Sequence, residues 1–145
     1  MNDKYDCLKL ENQLCFPLYV ASKEIIRRYK PFLDKLDLTY TQYIAMMVMW
    51  EKKSLKVTEL CKCLFLDTGT VSPLIRKLKS KGYIELSRSK EDERIQIVTI
   101  TDKGEVLKEE AVDIPSKMIN SKCMNLSKED AENLYRILYS IIQQD

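Results

Sequence analysis

The stretch VTELCKCLFLDTGTVSPLIRKLKSKGYIEL, from Val57 to Leu86, decides the fold. Val57-Thr58-Glu59-Leu60 opens a short helix with Leu60 and Leu64 inward, and Leu66-Asp67-Thr68-Gly69 turns the chain into a second one. There Val71, Leu74, Ile75 and Leu78 recur at the spacing of a single buried stripe, and Lys81-Gly82 supplies a basic last turn and a stop. The opposite face carries Thr70, Ser72, Pro73, Arg76, Lys77 and Lys79, with Thr68 at its start. Tyr83-Ile84-Glu85-Leu86 then alternates like a strand, Ser87 to Glu93 forms a polar hairpin tip, and Arg94 to Thr101 returns as a second strand with Val98 and Ile100 inward. Helix, tight turn, helix with a basic outer face and charged hairpin is the order of a winged helix-turn-helix, in which one helix enters the major groove of DNA.

Working outward, Leu14, Leu18, Ala21, Ile25 and Tyr29 recur at helical spacing, with Pro17 marking a late start or a kink and Lys30-Pro31 predicting the end. Thr39 or Thr41 caps the next helix, whose run from Tyr43 to Trp50 is apolar all round and belongs in the core; its methionines fill gaps there. Thr101-Asp102 starts a helix toward Pro115, and Ser127 caps a last one carrying Leu134, Ile137, Leu138 and Ile141. The fold class is mainly α with a small β hairpin, an α+β winged helix-turn-helix, and the 145 residues suffice for one domain.

Composition removes whole classes of function. The chain has no histidine, which excludes imidazole metal ligands and every Ser-His or Cys-His catalytic arrangement. Cys7, Cys15, Cys61, Cys63 and Cys123 are odd in number and irregularly spaced, unlike a secreted disulfide framework or paired zinc knuckles. No segment approaches the apolar length of a membrane span and none resembles a signal peptide, so a soluble cytoplasmic protein without a cofactor is expected. The 24 basic and 22 acidic residues nearly cancel, so local placement of charge must carry any argument about nucleic acid.

That placement favours DNA. Arg76 and Lys77 are long enough for guanine edges or phosphates, Thr70 and Ser72 can reach bases or backbone, and a helix start can receive a phosphate. The hairpin adds Arg88, Lys90 and Arg94 on a loop narrow enough for the minor groove. Glu91, Asp92 and Glu93 would repel phosphate unless one of them orients Arg94 as an internal partner, the role expected of Asp92.

Four segments, Leu10-Glu11-Asn12-Gln13-Leu14-Cys15-Phe16, Leu66-Asp67-Thr68-Gly69-Thr70, Glu91-Asp92-Glu93-Arg94 and Ala111-Val112-Asp113-Ile114-Pro115, closely resemble the MarR family, in its organic hydroperoxide-sensing branch. The resemblance spans nearly the whole chain. It implies a homodimer in which terminal helices (1–36 and 105–145) interlock while lobes 37–104 read the half-sites of a pseudo-palindromic operator. It also implies repression relieved by peroxide. In that branch a cysteine of the first helix is held by tyrosine hydroxyls, here Cys15 with Tyr19, Tyr40 and the partner's Tyr29. Chemistry agrees: a free thiol with a pKa near ~8.5 is only a few per cent thiolate at neutral pH, and hydroxyl donors favour the reactive anion. Tyr19, four residues beyond Cys15, shares its helical face.

Cys61 and Cys63, two apart on a helix, face away from each other and read as packing residues, while Cys7 falls in a flexible arm. Cys123 is a candidate to resolve oxidised Cys15, in competition with a low-molecular-weight thiol, and the external thiol is the expectation adopted. Other readings stay open at this point: a repressor released by a phenolic or lipophilic ligand with Cys15 inert, a thiol peroxidase turning over at Cys15, and a protein-interaction module. Against the peroxidase, Leu14-Cys15-Phe16 lacks the Thr-x-x-Cys setting of peroxiredoxins; against the interaction module stands the basic helix face.

Overall fold

A computed structural model describes residues 3–120 and 124–143. Its core is built around α2 (Tyr40–Lys52), whose N-terminus is closed by a capping box: Gln42 N donates to Thr39 Oγ1 at 3.2 Å and Thr39 N donates to Gln42 Oε1 at 3.1 Å. Tyr43, Ala45, Met46 and Met49 of this helix are buried, while Met47 is 43% exposed. The run is therefore not sealed all round as the sequence suggested, because Met47 lines an open cavity with Lys108, Val112 and Pro115 and is not packed into the core.

Before it comes α1 (Cys15–Leu33), which starts late, with Pro17 in its first turn, but runs through Pro31 instead of stopping there. A proline in the last turn removes only one helical hydrogen bond, and Leu33 and Leu36 bury their side chains beyond it. Asp37, in the left-handed region at φ 53°, then turns the chain toward α2. The segment holding Cys7 is not a loose arm: it forms two 3-10 turns, Asp6–Leu8 and Leu10–Asn12, tied by Asn12 Nδ2 to Asp6 O at 2.7 Å and Gln13 Nε2 to Cys7 O at 2.6 Å.

The winged lobe contains β1 (Ser54–Lys56), α3 (Val57–Leu64), α4 (Thr68–Ser80), β2 (Ile84–Arg88) and β3 (Gln96–Ile100). The sheet is antiparallel in the order β1-β3-β2, with Leu55 opposite Val98 and Leu86 opposite the same residue from the other side. The sequence reading missed β1, because three residues are too few to show a period and the strand is recognisable only through its pairing. Val98 is fully buried, Ile100 half-buried, and the stripe Val71, Leu74, Ile75 and Leu78 closes the core from α4.

Thr101 caps α5 (Asp102–Ala111), and Pro115 stands in the first turn of a separate helix, α6 (Ile114–Asn120), so the single helix expected up to Pro115 is two. Ser127 caps α7 (Lys128–Ile142), which buries none of its residues within the chain. Among the described residues no helix is long and apolar enough to cross a membrane.

Candidate nucleic-acid interface and thiol site

Asp67 starts α4: hydrogen bonding from the Thr70 side chain, together with the Thr70 N–H that its Oδ1 accepts at 2.7 Å, holds the carboxyl below its usual range. With Val71, Leu74, Ile75 and Leu78 committed to the core, helical geometry turns Thr68, Thr70, Pro73, Arg76 and Lys77 to solvent, and Ser72 is half-buried at the edge of that face. Pro73 stands inside the helix and lacks the N–H that an α-helix directs to the carbonyl four residues back, here that of Gly69.

The hairpin tip is organised from within. Arg94 reaches Asp92 in a two-pronged pair, Nε to Oδ1 at 3.1 Å and Nη2 to Oδ2 at 3.2 Å, while Arg94 N also donates to Asp92 Oδ1 at 3.0 Å. The guanidinium keeps the Asp92 carboxyl below its ordinary range and is itself almost fully exposed, so a cation is presented outward from a fixed base. Arg88 turns back, its Nη1 donating to the Glu93 carbonyl at 2.9 Å, and so braces the tip. Lys90, Glu91 and Glu93 are exposed.

Cys15 is the first residue of α1 and is exposed in the single chain. Leu14, at the N-cap, provides no side-chain acceptor, so the first-turn amides of Cys15 and Phe16 have no partner within the helix. Tyr19 is also exposed, with Lys23 over its ring at 5.0 Å and Lys23 Nζ 3.4 Å from its hydroxyl. Tyr29 and Tyr40 meet at 5.1 Å between ring centroids, and Tyr43 joins them at 5.8 and 6.4 Å. Burial raises the pKa of all three, Tyr43 to about 12, so each hydroxyl keeps its proton at neutral pH. One chain therefore brings Tyr29 and Tyr40 together, whereas among the described residues no hydrogen bond joins any tyrosine to Cys15.

Tyr43 escaped the sequence reading because it sat inside an apolar run; its place three residues after Tyr40 is the signal that pairs them on one face. Of the other thiols, Cys61 is buried, its Sγ 4.0 Å from Thr68 Oγ1. Cys63 is exposed, contrary to the packing role expected of it, since the inward face of α3 belongs to Val57, Leu60 and Cys61. Cys123 lies outside the described residues. Among the described residues no group of carboxylates and thiols is placed to hold a metal ion.

Comparison with known proteins agrees with this architecture. The family described as "Transcriptional regulator SarA/Rot" matches residues 27–111. The organic hydroperoxide resistance transcriptional regulator of Bacillus subtilis (strain 168) is 42% identical over 99% of this chain and 96% of its own length. The HTH-type transcriptional regulator SarZ of Staphylococcus haemolyticus (strain JCSC1435) is 38% identical over 94% and 91%. Reduced AbfR bound to DNA superposes with a TM-score of 0.79 at 25% identity, covering 97% of each chain. With its winged helix and near-complete match to these regulators, the chain belongs to the SarA/Rot family of transcriptional regulators, in the group of the organic hydroperoxide resistance regulator.

Proposed function

We propose that this chain is a homodimeric repressor that binds a pseudo-palindromic operator and lets it go when an organic hydroperoxide oxidises Cys15. The observation that carries the reading is the placing of an exposed cysteine at the head of α1, the helix whose far end brings Tyr29 against Tyr40 and Tyr43 of α2. Thiol chemistry and the core of the winged lobe thus share one rigid element.

Thr68, Thr70, Ser72, Pro73, Arg76 and Lys77 form the major-groove surface, and Arg88, Lys90 and Arg94, with Asp92 as the orienter of Arg94, form the wing's contact to the minor groove. Helices within 1–36 and 105–145 make the dimer, and 37–104 makes the reading lobe. A second copy of the chain fits the apolar face of α7, where Leu134, Ile137 and Ile141 are exposed beside Leu18, Ala21 and Ile25 of α1. The chemistry is stoichiometric: the Cys15 thiolate attacks one peroxide oxygen, the O–O bond breaks, the sulfur loses two electrons and becomes a sulfenic acid, and the alcohol leaves after taking a proton. Tyr19, the partner's Tyr29 and the partner's Tyr40 donate to the thiolate, since Tyr29 and Tyr40 of one chain pack together ~21 Å along α1 from that chain's own Cys15. Regulation, not turnover, is the outcome, and a low-molecular-weight thiol caps the sulfenic acid in the cytoplasm.

Operator binding by fluorescence anisotropy, with and without an alkyl hydroperoxide, tests this. Cys15→Ser retains operator affinity and no longer releases DNA; hydroperoxide-driven release that persists in Cys15→Ser rules Cys15 out as the sensor.

A further inference from the structure

Three segments meet at residues 81–83, just beyond the reading helix. Lys81, the C-cap of α4, is a lysine whose side chain is 26% exposed; its Nζ donates to the Asp37 carbonyl oxygen and, at 3.1 Å, to Gln42 Oε1. The Asp37 carboxylate is 3.6 Å from the same ammonium. Asp37 is the left-handed residue that ends the α1 corner, and Gln42, 3% exposed, is the buried polar side chain whose Oε1 also takes the N–H of Thr39. From the other side Lys103 of α5 donates Nζ to the Lys81 carbonyl at 2.8 Å, Thr101 Oγ1 donates to the Gly82 carbonyl at 2.5 Å, and Thr101 N donates to Tyr83 O at 3.1 Å.

A lysine that merely capped α4 would donate to the last carbonyls of its own helix or stay in water. A lysine serving DNA affinity would remain free for phosphate. The Lys81 ammonium does neither: it reaches residues 44 and 39 positions back in the chain and is shared between oxygens there. Charge-assisted hydrogen bonds in a partly desolvated position are directional, so they fix an angle as well as a distance.

We propose that Lys81 is a positioning residue for DNA reading: held by Asp37 and Gln42 on the α1–α2 side and by Lys103 on the α5 side, it sets the tilt of α4. The tilt of the reading helix then follows the helix that carries Cys15, a consequence that rests on the proposed function; the positioning role itself does not.

The test uses the full chain, its Lys81→Met and Lys81→Arg variants, and the tightest-binding palindromic duplex selected from a random pool. The first arm needs no oxidant. Moving the half-sites apart by one base pair weakens parent binding about tenfold, because the lobes are held at one angle. In Lys81→Met that penalty falls to about threefold or less while affinity for a single half-site stays within about twofold, and Lys81→Arg restores part of the penalty. Equal spacing penalties in the parent and in Lys81→Met overturn the proposal. Should Lys81→Met not fold, as judged by circular dichroism, Lys103→Met is the deciding variant, with the same expected and overturning results. The second arm adds an alkyl hydroperoxide and follows Cys15 by mass spectrometry. Lys81→Met oxidises at the parent's rate but loses operator by a factor about fivefold smaller, and a release factor equal to the parent's overturns the coupling. If the parent itself keeps its operator with Cys15 oxidised, the sensing function fails and the spacing arm alone decides the role of Lys81.

Discussion

Replacing Gly104 by alanine would destabilise this protein, although it exchanges a poor helix former for the best one. Gly104 lies in the first turn of α5, where Thr101 Oγ1 accepts its N–H at 3.1 Å and its carbonyl accepts Trp50 Nε1 at 2.9 Å. A Cβ on this residue would stand 2.4 Å from the Tyr83 carbonyl oxygen and 2.7 Å from Ile100 Cγ1. Neither neighbour can step aside freely: Tyr83 O is tied by Thr101 N at 3.1 Å, and Ile100 pairs with Ile84 in the sheet. Helix propensity favours alanine by about 1 kcal/mol, less in a first turn. Overpacking a well-filled site costs about 1–3 kcal/mol, and more where backbone must shift. The clash prevails, with an expected net loss of about 1–3 kcal/mol, and at about 2–4 °C per kcal/mol the melting temperature falls by roughly 2–12 °C. Gly69 is the control, since its Cβ would meet only Asp67 Oδ1 at 3.6 Å, so Gly69→Ala is neutral or gains up to about 1 kcal/mol. Urea titrations followed by circular dichroism, all at one protein concentration because an associating chain melts at concentration-dependent temperatures, make the comparison. A Gly104→Ala chain as stable as the parent would refute the packing argument.

The wing, the tyrosine cluster and pH supply the other expectations. Arg94→Ala weakens operator binding about 5- to 150-fold and lowers the salt dependence, and Asp92→Asn has a smaller effect in the same direction because it frees the guanidinium without removing it; unchanged anisotropy titrations would take Arg94 out of the interface. Tyr29→Phe and Tyr40→Phe each slow Cys15 oxidation, as each removes a hydroxyl donor, and equal rates by stopped-flow mass analysis would leave these rings a packing role alone. Because burial raises the pKa of Tyr29 and Tyr40, and that of Tyr43 to about 12, the folded state holds these protons more tightly than the unfolded chain does. Their contribution to stability is therefore full below pH 10 and is lost between about pH 10 and 12; a Tyr43→Phe variant loses stability less steeply there, and parallel curves would contradict the assignment.

What was legible in the sequence was whatever has a period or a cap. The α4 stripe, Thr39, Thr101 and Ser127 announce themselves because burial recurs every third or fourth residue and because an N-cap needs an oxygen at one position. Asp92 was identifiable as the partner of Arg94 from the electrostatic conflict at the wing tip. Features that depend on distant segments were invisible. β1 exists through its pairing with β3, Gln42 is polar inside an apolar helix because it serves the Thr39 cap and Lys81, and nothing near Lys81 in the sequence points to Asp37. Pro31 misled for a related reason: a proline ends a helix only where no tertiary contact holds the following turn, and here Leu33 and Leu36 anchor it.

The distribution of burial also bears on how one thiol could govern DNA. Val71, Ile75, Leu78, Ile84 and Val98 of the winged lobe are all but inaccessible and join Leu33, at the far end of α1, in one core cluster, so oxidation of an exposed cysteine at the head of α1 has little to disrupt there directly. α7 is the opposite case: a helix of 15 residues with none buried, of a length that is marginal alone in water. Phe16, Leu18, Val20 and Ile26 of α1 are likewise left exposed on the helix that begins with Cys15. The uncovered apolar surface and Cys15 thus share an element, and on the proposed reading a second copy completes both. A ligand or a modification shifts a conformational equilibrium only by the difference in its contacts between the two states. On the proposed reading, a sulfenic oxygen at the head of α1 gains that difference at the junction of two chains, and moderate coupling, about 1–3 kcal/mol, is enough to change operator occupancy without unfolding either lobe.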